Sequence, residues 1–134
     1  MAYLLDTNVL SALLRKNEKV WQTAQAMEWA DQELFISTIS YYEIKRGLLA
    51  NPATTRMERF DHLRRKYTML GTDNEAVLDE AAAIYAELKQ RGELLPDADI
   101  FIAAVARVHG LILVTDDNHF NRISGLQLEN WVRD

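Results

Sequence analysis

Three short runs, Tyr3-Leu4-Leu5, Leu34-Phe35-Ile36 and Leu111 to Val114, are apolar at every position, so a strand built from any of them has no face suited to water. Such strands belong inside a sheet that is covered on both sides. The segments between them carry apolar residues at helical spacing: Val9, Leu10, Leu13 and Leu14; Val20, Ala24 and Met27; Met57, Phe60, Leu63 and Tyr67; and Val77, Ala81, Ile84, Tyr85 and Leu88. Strands alternating with helices in this way predict a central parallel sheet between two helical layers, an α/β fold of the three-layer α/β/α kind.

Local signals set the expected boundaries. Asp6-Thr7-Asn8 reads as a tight turn from the first strand into the first helix. Ser40 with Glu43, and Thr72 with Glu75, have the S/T-x-x-E spacing of a capping box, which predicts one helix over about 41–49 and a second, longer one closed by Gly92. Asn51-Pro52 ends the first of these, and Gly71 punctuates the chain before the second. After Pro96, the stretch from Asp99 to Val108 is apolar on nearly every face and stops at Gly110, as a helix buried on most sides would; a last short strand is expected around Leu126 to Leu128. No repeat, low-complexity tract or linker divides the chain, so residues 1–134 are read as one domain.

Composition narrows the function classes. The chain has 134 residues and no cysteine, which removes disulfides, thiolate metal sites and thiol nucleophiles, and a chain of this length buries about two-thirds of its unfolded surface without such staples. The longest apolar run, Ile100 to Ala106, is too short to span a bilayer, and Asp6 interrupts any signal-peptide core, so a soluble cytoplasmic protein with no membrane association is expected. A net charge of −5 argues against holding nucleic acid through overall charge. Arg56, Arg59, Arg64, Arg65 and Lys66 nevertheless crowd one segment, which is either a solvated helix face or a local contact for a phosphate backbone.

In an open parallel sheet, sites form beyond the carboxyl ends of the strands. Asp6 follows the first strand, Glu43 lies one turn into the helix after the second, Asp99 opens the buried helix, and Asp116 with Asp117 follows the late strand. Like charges gathered there raise one another's pKa and are stable at neutral pH when a cation is shared; all-oxygen donors select Mg²⁺ or Mn²⁺. Each acid also admits a structural role: helix cap for Asp6, capping box for Glu43, helix-dipole partner for Asp99, turn residue for Asp117. An acid beside Ile100-Phe101-Ile102 is costly unless something pairs with it, which makes Asp99 the most telling. His62, His109 and His119 are scattered, with only His119 near a proposed acid, and Trp21, Trp29 and Trp131 read as core or interface residues.

Asp6-Thr7-Asn8, Glu43 with Gly47, Asp99 followed by Ile102-Ala103-Ala104, and Thr115-x-Asp117 with Phe120 together resemble the motifs of PIN-domain ribonucleases, and more narrowly of VapC-type toxins from type II toxin-antitoxin pairs. The likeness runs along essentially the whole chain, through Gly110-Leu111 to Gly125-Leu126 and Trp131. It implies catalytic acids at Asp6, Glu43, Asp99 and Asp117, with Asp6, Asp99 and Asp117 as metal ligands; Glu43 and Asp116 remain open as further ligands, and Asp97 lies outside the expected helix. Thr7, Asn8, Ser40 and Thr115 match the supporting polar positions. It also implies a Mg²⁺- or Mn²⁺-dependent endoribonuclease acting on structured cellular RNA such as tRNA or rRNA, a VapB-type antitoxin partner and a homodimer. Two rivals share features with this pattern. An aspartyl phosphotransferase of the haloacid-dehalogenase type wants a second acid where Asn8 stands, and a catalytically silent PIN-like binding module would not need the full acid set.

Overall fold

The computed structural model describes residues 1–133. In chain order the elements are β1 (Ala2–Leu5), α1 (Thr7–Leu14), α2 (Glu18–Trp29), β2 (Glu33–Ser37), α3 (Thr38–Ala50), α4 (Thr54–Lys66), β3 (Thr68–Leu70), α5 (Glu75–Gln90), α6 (Asp97–His109), β4 (Ile112–Val114), a 3-10 helix (Asn118–Arg122) and β5 (Leu128–Glu129). The five strands form one sheet in the order β3-β2-β1-β4-β5, and every pairing is parallel. Side chains alternate across it. Tyr3, Leu5, Leu34, Ile36, Ile112 and Val114 pack under α1 to α4, whereas Leu4 and Leu113 face α5 and α6. The predicted three-layer α/β/α sandwich is therefore what forms, with both sheet faces covered.

The order of the strands matters more for function than any single helix. From β1 the chain adds strands on one side, β2 and then β3, and returns to place β4 on the other side of β1. The gap beyond the ends of β1 and β4 is the point at which the winding reverses, where loops diverge and leave a crevice. There the backbone N–H of Asp6 bonds the carbonyl of Val114 at 2.9 Å, which ties the two strand ends together.

Several local expectations are corrected. The α3 cap is Ser37, whose hydroxyl accepts from the Ser40 N–H, so the helix starts at Thr38 and Ser40 lies inside it. Likewise Asn74, and not Thr72, caps α5 by accepting from the Val77 N–H. Both positions hold a side chain that caps as well as the residue predicted, and only the extended backbone at Ser37 and Asn74 selects them. Helix α6 opens at Asp97 behind Pro96, so Asp97 is helical and Asp99 sits in the first turn. Gly110 ends α6 in the left-handed region at φ 64°, where a side chain would be strained. β3 and the 3-10 helix were not foreseen, and β5 falls two residues after its expected start. Trp131 is core, its ring tilted against that of Tyr3 at 5.4 Å, but Trp29 is 88% exposed, and Trp21 and Tyr85 also lie at the surface. Among the described residues no helix is long and apolar enough to cross a membrane.

Candidate active site

Asp6 is the first residue past β1 and the N-cap of α1, and both functions pull its backbone into the extended conformation that turns the carboxylate toward the sheet edge. Only 4% of it is exposed. One carboxylate oxygen accepts from the Thr7 N–H and the other from the Thr115 hydroxyl, each at 2.8 Å. These bonds hold the carboxyl down in pKa, but burial outweighs them, and with the charges of Asp99 and Asp117 it pushes Asp6 up to about 6. Asp99, half-buried in the first turn of α6, is raised by burial first and then by Asp117 and Glu43, with His119 opposing. Four elements thus place their charges within reach of one another.

The supporting polar residues form a chain between two of the acids. The Thr7 hydroxyl donates to Glu43 Oε1 at 2.6 Å and lies 2.9 Å from the Ser40 hydroxyl. Ser40 is fully buried, and its Oγ is 3.4 Å from that of Ser37. Ser37 carried no functional signal in the sequence; a serine immediately after an apolar strand and three residues before Ser40 was the available clue. On the far side, the Thr115 hydroxyl accepts from the Asp117 N–H at 3.0 Å, so one threonine orders both Asp6 and the loop that carries Asp117. Asp117 caps the 3-10 helix through the His119 N–H, and His119 Nδ1 is 3.2 Å from the same carboxylate. Asn8 lines an adjoining cleft together with Thr7 and Glu43.

Asp116 behaves differently from its neighbour. Its carboxylate is held by Arg133 Nε at 2.6 Å and Asn130 Nδ2 at 3.0 Å, and these bonds draw its pKa below the ordinary range. Arg133 already supplies its cation. The charge that reaches Asp6 and Asp99 is that of Asp117.

The basic segment does not form one continuous patch. Arg59 donates to the Leu14 carbonyl at 2.8 Å, Lys66 pairs with Glu28, Arg64 lies over the Tyr41 ring, and Arg65 donates to the Asp61 carbonyl. Arg56 stands at the end of the cleft that begins at Thr7 and Glu43.

The acids fit a hard cation by chemistry. All donors are oxygens, the Asp6 carboxyl is raised toward neutrality by burial first and by the charges of Asp99 and Asp117 after it, and among the described residues no cation of the chain is placed against it. Among the described residues no three His, Asp or Glu side chains stand together as a ready-made metal site. The arrangement suits an ion that keeps much of its own water, as Mg²⁺ does, so the carboxylates need not close on it by themselves.

Comparison with known proteins agrees with this geometry. Residues 3–126 match the PIN domain family. The chain is 33% identical over 138 residues to the VapC ribonuclease Y4jK of Sinorhizobium fredii, covering 95% of each, and 33% identical to Toxin FitB of Neisseria gonorrhoeae, covering 85% of this chain and 86% of the other. Among solved structures, VapBC2 from Rickettsia felis, bound to a DNA fragment from its promoter, superposes with a TM-score of 0.89 at 23% identity, over 98% of this chain and 99% of that one. That likeness bears on the fold. FitAcB from Neisseria gonorrhoeae superposes with a TM-score of 0.78 at 26% identity over 96% of each chain.

Proposed function

Because this chain belongs to the PIN-domain family and is a ribonuclease toxin of the VapC type, we propose that it cleaves RNA at the acid-lined crevice beyond β1 and β4 with a divalent cation, Mg²⁺ or Mn²⁺, held by Asp6, Asp99 and Asp117. The observation that carries this reading is the buried Asp6 carboxyl, raised to about 6 and left without a cation from the described chain. When bound, the cation supplies the charge that makes water a nucleophile at neutral pH and offsets the charge growing on the attacked phosphate.

The chain's own contribution is to position and to exclude water. Thr115 and the Thr7 N–H engage both oxygens of Asp6, so its carboxylate cannot rotate without losing a bond. Ser40 bonds the Thr7 hydroxyl, which in turn donates to Glu43 and so places that carboxylate to orient or accept a proton from water. Asp99 and Asp117 come from α6 and from the loop after β4, so each acid is anchored to a different rigid element. Asn8, where a phosphotransferase of the haloacid-dehalogenase type needs a second acid, disfavours a phosphorylated Asp6.

The same reading extends to partners. The chain acts as one domain and a homodimer in the cytoplasm, its substrate is structured RNA such as tRNA or rRNA, and a VapB-type antitoxin covers the acids until it is degraded; the toxin name of one relative and the VapBC complex among its structural neighbours support the antitoxin partner. Incubating the purified chain with total cellular RNA, with Mg²⁺ or Mn²⁺ and with chelator, tests the core of the proposal. His119 is the only histidine at the acids among the described residues, so no histidine pair is available to drive attack by the RNA 2′-hydroxyl. Cleavage is expected to need the cation and to leave 5′-phosphate and 3′-hydroxyl ends. Cyclic phosphate ends formed in chelator would overturn it.

A further inference from the structure

An open cleft of about 660 Å³ leaves the acids between α1 and α3, starting at Thr7 and Glu43 and passing Asn8, Gly47 and Asn51 to Arg56. Its size falls within the roughly 300–1,000 Å³ of ordinary ligand pockets. Gly47 sits well inside α3, where glycine is the least favourable residue after proline. Nothing in the fold asks for it. A Cβ built there would meet no atom within 4 Å, so the missing methyl relieves no contact inside the chain. The methyl would instead enter the cleft.

The walls agree with an outside occupant. Among the described residues the side chains of Asn8, Asn51 and Arg56 make no hydrogen bond or ion pair, although the other cations of α4 are engaged with Leu14, Tyr41, Asp61 and Glu28. A free guanidinium at one end and the carboxylates at the other suit a polyanion whose reacting phosphate lies at the acids while another, further along the strand, lies at Arg56. The two free amides offer both donors and acceptors, as a sugar edge or a base requires. We propose that this cleft is the subsite for the nucleotides that flank the scissile phosphate of a single RNA strand, with Gly47 clearing room for the sugar-phosphate backbone against α3 and Arg56 pairing with a phosphate beyond it. The proposal rests on the RNA-cleaving reading given above.

The test uses the full chain and its Gly47→Ala, Arg56→Gln and Asn51→Ala variants with labelled total cellular RNA. Cleavage is followed with Mn²⁺, binding by anisotropy in chelator, and folding by thermal melts. Gly47→Ala is expected to melt at or above the parent's temperature, since alanine is the better helix former, yet to lose about tenfold or more in kcat/KM, carried by KM, and to bind RNA correspondingly more weakly. Arg56→Gln is expected to weaken binding and reduce its salt slope by about one. Asn51→Ala, at the helix end, keeps the question answerable if the glycine variant does not fold. A parent that cleaves RNA while folded Gly47→Ala and Arg56→Gln keep its KM and salt slope overturns the subsite alone. A parent that neither binds nor cleaves RNA overturns the ribonuclease reading and the subsite with it.

Discussion

Asp6 and Asp116 follow the ends of adjacent parallel strands, β1 and β4, and the two carboxylates live in opposite worlds. Asp116 lies toward solvent with Arg133 and Asn130 on its oxygens, and its pKa is drawn down. Asp6 is buried, takes its bonds from neutral donors, shares its surroundings with Asp99 and Asp117, and is raised to about 6. The first charge is balanced from within the chain. The second is balanced only if something from outside arrives, and a fold that keeps such a carboxyl at its winding-reversal point gives up stability for a function.

Exchanging each acid for its amide gives the largest expected contrast. Asp99→Asn and Asp6→Asn are expected to lose at least about a thousandfold in RNA cleavage, because either removes a proposed direct ligand. Asp116→Asn is expected to stay within about twofold, since its carboxylate serves the Arg133 contact. Undiminished cleavage by pure Asp99→Asn protein, or a loss in Asp116→Asn equal to that in Asp6→Asn, would erase the distinction.

The same exchange reverses sign when stability is measured without metal. A carboxyl that titrates near 3.8 when free and about 6 when folded is protonated in both states below pH 4 and costs nothing there. Between those two values the folded state holds a proton that the unfolded chain has already lost, so stability falls as pH rises from about 4 to about 6 and levels off above it. Asp6→Asn escapes this, keeps the Thr7 cap and is expected to gain about 2 kcal/mol at pH 7 over the parent, with no such gain at pH 4. Urea denaturation in chelator at both pH values checks it. A gain that is the same at pH 4 and pH 7 would trace to packing, and the electrostatic account of Asp6 would fall.

Part of this contrast was legible in the chain and part was not, for physical reasons. Runs with no polar face require a doubly covered parallel sheet, and that rule alone puts Asp6, Asp99 and Asp117 at one edge. β3 escaped notice because its three residues continue the pattern of α4 through Tyr67 and leave Thr68 exposed at the sheet margin. The helix caps were misplaced because Ser37 and Ser40, or Thr72 and Asn74, are chemically equivalent until the backbone angles decide. Between Asp116 and Asp117 only the Thr115-x-Asp117 spacing favoured the second, since Arg133, which occupies Asp116, lies on a distant segment. Gly47 was visible as part of a motif, but only the cleft beside it gives it a reason.

A smaller effect separates orientation from charge. Thr115→Val keeps the shape of the side chain but removes the donor on Asp6 and the acceptor for the Asp117 N–H. Cleavage is expected to drop about 10–100-fold, the usual cost of losing a bond that aims a ligand. Because that bond lowers the Asp6 pKa, the acid limb of the pH-rate profile is also expected to move upward. Thr38→Val is the comparison, as its hydroxyl meets only Thr72 at 3.2 Å, and it is expected to change neither quantity. A lower rate with an unmoved profile would make Thr115 a packing residue.

The smallest effect concerns the cations outside the crevice, where the logic of Asp6 and Asp116 recurs with the sign of charge inverted. Arg107 is paired with Glu80 at 2.7 Å and so has, like Asp116, a partner inside the chain. Arg64 rests over the Tyr41 ring and Arg65 donates only to a backbone carbonyl, so both keep a positive charge for an outside partner. Removing both, as Arg64→Gln with Arg65→Gln, is expected to weaken RNA binding modestly and lower its salt slope by about one to two, with metal affinity unchanged. Arg107→Gln is expected to leave the slope alone. Equal slopes for the two variants would make the end of α4 a solvated face, and the contacts with RNA would then reduce to the crevice and Arg56.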